Sequence, residues 1–147
     1  MSVAVMQSLR QYLADAGLLD GYQVRFNRWS DADLEGAGNF VLFRVAGPGV
    51  SNRIQQRHDI DLYMVAEPES YVATQNAIEA VASYLRAAVI PPNAVRYSVP
   101  SNPAGPFEMT NGRQVFQLAV QVYTSSQVYE LIDDEIDTWY DFFSPTV

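Results

Sequence analysis

At 147 residues with 48% apolar side chains, the chain holds enough hydrophobic material for one core and too little for two ordinary domains. Its net charge of −8 is unevenly placed: residues 1–124 carry eleven carboxylates against nine arginines, while 125–147 carry six carboxylates and no cation, a balance that argues against a general nucleic-acid binder, which needs a basic field. Cysteine is absent, which excludes disulfides and thiolate metal sites, and no run approaches about 18 apolar residues, so neither a signal peptide nor a membrane span is expected.

Val5, Met6, Leu9, Tyr12 and Leu13 recur at helical spacing, with Ser2 placed to cap the start and Gly17 to close the end. Tyr22, Val24 and Phe26 then alternate with Gln23, Arg25 and Asn27, the period-2 pattern of a half-buried strand. The polar stretch Ser30 to Asn39, with Gly36 and Gly38, reads as a loop. Phe40 to Ala46 and Arg57 to Val65 form a long antiparallel hairpin, and its tip, Gly47 to Arg53, is too rich in Gly, Pro, Ser and Asn to be strand.

Pro68 suits a helix start, and Tyr71, Ile78, Val81, Ala82, Leu85 and Val89 make the apolar stripe of a helix that runs to about Ala88, before Pro91-Pro92 stops it. Val95 to Val99 is a brief strand, followed by a loop holding Pro100, Pro103 and Pro106. Asn111-Gly112 signals a tight turn, across which Phe107 to Thr110 can pair with the strongest strand, where Phe116, Leu118, Val120 and Val122 alternate with polar or small neighbours. Strands joined by short turns favour an α+β domain over residues 1–124, a mostly antiparallel sheet with two helices packed on one face.

Residues 125–147 combine their six carboxylates with Trp139, Tyr140, Phe142 and Phe143, and acidic tails that only solvate are poor in aromatics. Val128, Leu131, Ile132, Ile136, Trp139, Tyr140 and Phe143 fall on one helical stripe, whereas Glu130/Asp134, Asp133/Asp137 and Asp137/Asp141 each cost an isolated helix about 0.2–0.5 kcal/mol by repulsion. Burial must offset that cost, so this segment is expected to dock as a helix or as an extended arm, on its own subunit or on a neighbour.

Catalytic chemistry finds little support. A nucleophile needs a base, and His58 is the only histidine; its neighbour Asp59 points to the other face of the same strand, and the plainer reading is a partly exposed strand histidine. Asp31/Asp33 and Asp59/Asp61 each have the spacing that puts two carboxylates on one face of an extended segment, but no further oxygen ligands accompany them; a loop cap and a solvated strand face explain them more simply. Gly47-Pro48-Gly49 lacks the lysine and repeated glycines of a phosphate cradle. Arg53 and Arg57, flanking Gln55 and Gln56 beside the hairpin tip, are the one local basic cluster. No cofactor or metal is expected.

The hairpin Phe40 to Val65 with its polar tip, the helix Ser70 to Ala88, and the stretch Pro106 to Arg113 leading into the last strand make residues 1–124 resemble the tail terminator proteins of tailed bacteriophages. The resemblance implies a non-enzymatic virion protein, made in the host cytoplasm, that assembles as a hexameric ring on the last ring of the tail tube, stops its growth, and offers a docking face to a head completion or connector protein. DNA would pass through the lumen, and no membrane is involved. On that reading Gly47, Val50, Arg53 and Arg57 are candidates for an axial contact, and Trp139, Tyr140 and Phe143 for docking of the C-terminal segment. The alternatives are a head completion or tail tube protein, and a small enzyme gathering His58 with Asp59, Asp61 or Arg57.

Overall fold

The computed structural model describes residues 2–28, 38–52, 55–68, 71–88, 95–109 and 111–125. In chain order these form α1 (Ser2–Asp15), β1 (Tyr22–Phe26), β2 (Asn39–Val45), β3 (Val50–Ser51), β4 (Gln55–Val65), α2 (Tyr71–Ala87), β5 (Val95–Ser98), β6 (Ala104–Glu108) and β7 (Gln114–Ser125). The expected class holds: the two helices lie on one face of a mostly antiparallel sheet.

Its spine is β1-β2-β4-β7-β5, with β3 beside β4 and β6 beside β7. The long pairing of β4 with β7, from Gln55 opposite Ser125 to Val65 opposite Val115, sets the register of the whole sheet. Phe43, Leu62 and Leu118 therefore share one row, and Val41, Met64 and Phe116 the next, all turned toward the helices and buried. Against them pack Val5, Met6, Leu9 and Leu13 of α1 and Ile78, Val81 and Leu85 of α2. The helical stripes and the period-2 strands thus meet in one core, as the spacing predicts.

Glycine ends α1 by a specific mechanism. Gly17 adopts φ +77, its N–H donates to the Ala14 carbonyl at 3.0 Å, and the Leu18 N–H reaches back to the Leu13 carbonyl at 3.1 Å. This pair of bonds satisfies carbonyls the helix leaves open and turns Leu18 onto the core.

Three local expectations need correction. Val50 and Ser51, assigned to the tip loop, pair with Arg57 and Gln56 as a short strand; Gly49, at φ +74, lets the chain rejoin β4 after Pro48. The pairing of β1 with β2 is parallel, because residues 27–38 suffice for the crossover of about a dozen residues that such a pair demands. Pro106, placed in a loop, lies inside β6, where the register shift between Ala104 and Phe107 accommodates a residue without an N–H. Asp31, Asp33, Arg53, Ser70, Pro91, Pro92, Thr110 and the expected C-terminal helix or arm lie outside the described residues.

Candidate functional site

Because side chains alternate along a strand, the residues between the core positions point away from α1 and α2, onto what is here the far face. Four strands each place one arginine there, Arg25 on β1, Arg44 on β2, Arg57 on β4 and Arg96 on β5, and Arg113 joins them just ahead of β7. Asp59 and Asp61 are the carboxylates among them on β4.

Two of the arginines are paired along or across strands. The Arg57 Nη2 donates to Asp59 Oδ2 at 3.2 Å, and its Nε lies 3.1 Å from Oδ1 but off-line for a hydrogen bond, so one bond and a charge contact hold the pair. Arg44 donates from Nη2 to the Tyr63 hydroxyl at 2.6 Å and stands 3.7 Å from Asp61 Oδ2, while the Tyr63 hydroxyl donates to the same oxygen at 3.4 Å. Burial, followed by the Asp61 charge, pushes the Tyr63 phenol above its ordinary range.

The others use aromatic rings. Arg96 sits 4.5 Å over Tyr123, and Arg25 and Arg113 lie 5.8 and 5.3 Å from the centre of the Phe40 ring, contacts in which the ring quadrupole attracts the cation. Arg113 is only 2% exposed, and its Nη1 donates to the Gly38 carbonyl at 2.9 Å and the Ala66 carbonyl at 3.3 Å. It fastens the start of β2 and the end of β4 to the turn before β7. Beside it, Phe40, Val65 and Val115 form a small second core, which opens into a cavity of about 450 Å³ lined by Leu42, Arg44, Tyr63, Phe107, Met109 and Val115 among others. Phe107 in that wall is 53% exposed.

At the other end of this face the hairpin tip sets Val50 opposite Arg57, with Gly47 three residues before Val50. The Ala46 N–H donates to the Asp59 carbonyl at 2.8 Å, Val50 lies opposite Arg57, and the Asn52 N–H donates to the Gln55 carbonyl at 2.9 Å while the Asn52 side chain accepts from the Gln55 N–H at 2.8 Å. Gly49 passes so close to β4 that a Cβ would sit 2.4 Å from the Arg57 carbonyl oxygen. Val50 is half-exposed. Arg53, Trp139, Tyr140 and Phe143 complete the sequence candidates and lie outside the described residues.

His58 points the other way, toward the helix side, where its Nε2 is 3.4 Å from the Thr124 hydroxyl and burial holds its pKa below the usual histidine value. Arg57, Asp59 and Asp61 are on the far face, so the register does not gather the group an enzyme built on His58 would use. Among the described residues no three metal-ligating side chains converge.

Sequence reading identified Arg57 and missed Arg44, Arg96 and Arg113, because it sought cations close in the chain. The available signal was a repeated one: arginine standing at a polar position of successive strand-like segments.

A model of a family described as phage tail termination protein matches residues 2–126. That match ends one residue past β7, leaving the rest of the acidic segment outside it. No curated protein matches the chain.

Proposed function

Because the chain belongs to the phage tail termination protein family, and is thereby a structural component of a phage tail, we propose that its copies close into a ring that caps the tail tube and presents the surface on which the head is joined. The family match over nearly the whole sheet domain is the observation that carries this reading. Six copies are the number that the resemblance implies, and the tube protein on one side and a head completion or connector protein on the other are the partners. Among the described residues no helix is long and apolar enough to cross a membrane.

Termination on this reading is steric. One ring face repeats the contacts by which tube subunits add to one another, the other does not, and addition stops. The hairpin tip from Gly47 to Arg53 supplies the axial contact: β4 runs on past its pairing with β2 to Gln55, and β3 stiffens the extension by pairing with Arg57 and Gln56. A ring repeats Arg53 and Arg57 once per subunit, so a modest cationic patch on one copy becomes a collective field around the lumen and the passing DNA.

Reversing both charges, R53E with R57E, tests the assignment in tube assembly followed by electron microscopy. Uncapped, overlong tubes are expected from a variant that keeps its circular dichroism spectrum. Tubes of normal length would remove the tip from the capping contact, and wild-type protein that itself polymerises into tubes would mark a tube protein instead of a terminator.

A further inference from the structure

We propose that residues 126–147 fold back over the far face of their own subunit, with Trp139, Tyr140 and Phe143 entering the groove between Leu42, Phe107 and Val115. The carboxylates of the segment then lie over the exposed arginines of that face. This stands apart from the ring reading, because it concerns what covers a surface within one chain.

Charge is the first argument. Arg28, which lines the groove, joins the five arginines of the strands and the turn before β7, and six arginines against Asp59 and Asp61 leave the far face with four excess positive charges in a chain whose net charge is −8, while the segment beyond Ser125 carries six of the compensating carboxylates. Arg96 makes no ion pair among the described residues and lies over the Tyr123 ring.

Position is the second. β7 delivers the chain at Ser125, opposite Gln55, and two residues earlier Tyr123 is flanked by Arg57 on β4 and Arg96 on β5. The acidic segment therefore leaves the sheet beside two cations. A tether this short gives the segment an effective concentration in the millimolar range over its own face, which favours its own subunit over a neighbour.

Length is the third. From Tyr123 back to Val115 the sheet runs about 26 Å at roughly 3.3 Å per residue. The stripe Val128 to Phe143, if helical, spans about 22 Å at roughly 1.5 Å per residue, so a segment that reverses after Ser125 brings its aromatic end to the groove. There the apolar lining and the half-exposed Phe107 receive the stripe, and the carboxylates off the stripe meet Arg44 and Arg96. A stripe that repels itself as a lone helix finds in one place both the burial and the counter-charges it needs.

The chain has no cysteine, so a pair of introduced thiols reports without interference. In the full-length protein, Q117C, on the far face opposite Tyr63 and two residues from Val115, and S144C beside Phe143, treated with a short bismaleimide, are expected to link within one chain, consuming both thiols at monomer mass. Adding R96E should lower that yield by at least about threefold, the factor a single partly exposed ion pair supplies. Links between two chains would overturn the own-subunit assignment in favour of a neighbour, and thiols that stay free would overturn docking on this face altogether. A yield unchanged by R96E would overturn charge as the basis of recognition.

Discussion

Strand β4 turns Ile60, Leu62 and Met64 toward the helices and Asp59, Asp61 and Tyr63 toward the far face. The first row is buried among side chains from α1, α2, β2 and β7. The second is tied by polar contacts and rings to its neighbours, at half-exposed positions. Dispersion and apolar burial depend on close fit, so the helix side decides which fold forms. Ion pairs near the surface contribute little to folding, so the far side is free to be shaped by what it meets. One strand thus divides the two tasks by the parity of its residues.

The largest expected effect comes from truncating the centre of the helix side. Leu62 is fully buried between Phe43 and Leu118, and Leu62→Ala should cost about 2–5 kcal/mol, the transfer term plus the cavity it leaves. Urea unfolding with an unchanged slope would measure it. A loss below about 1 kcal/mol would mean that the helix side tolerates voids, and the division between the faces would lose its basis.

Arg113 sharpens the comparison as the place where the far side behaves like a core. Met has a similar reach but no donor, so Arg113→Met leaves the Gly38 and Ala66 carbonyls without this partner. An unsatisfied buried acceptor costs about 1–3 kcal/mol, and a loss of about 2 kcal/mol is expected, somewhat below that of Leu62→Ala. Hydrogen exchange should show faster opening at the start of β2 and the end of β4 before the rest of the sheet. Uniform exchange would place the role of Arg113 elsewhere than in fastening these two segments.

These two residues also mark what the sequence could reveal. Leu62 was legible because alternation is local: Ile60, Leu62 and Met64 announce both the strand and its buried side, as Phe116 to Val122 do for β7. Arg113 was not legible, since an arginine after Asn111-Gly112 looks like any turn residue until β2 and β4 close around it. The parallel partnering of β1 with β2 escaped for the same reason, because it is made between segments a dozen residues apart in the chain. The hairpin tip was half legible. Val50 lies opposite Arg57, but that short strand depends on Gly49 approaching β4 so closely that only glycine fits. Arginines 25, 44, 57 and 96 form one surface only through strand register.

Arg44 gives the smallest stability effect and the most direct test of the division. Its side chain is 49% exposed, and the Tyr63 hydroxyl remains within 3.4 Å of Asp61 when it is removed. Arg44→Ala should therefore change stability by no more than about 1 kcal/mol, the ceiling for exposed ion pairs. Asp61 is the point of risk, because its side chain is only 13% exposed and a buried carboxylate stripped of its cation is costly. If Arg44→Ala destabilises by as much as Leu62→Ala, then Arg44 and Asp61 are part of the fold and the far face cannot be read as a contact surface. If stability holds while the intrachain cross-link to the C-terminal segment weakens, the arginine serves recognition, and the two rows of β4 have separate purposes.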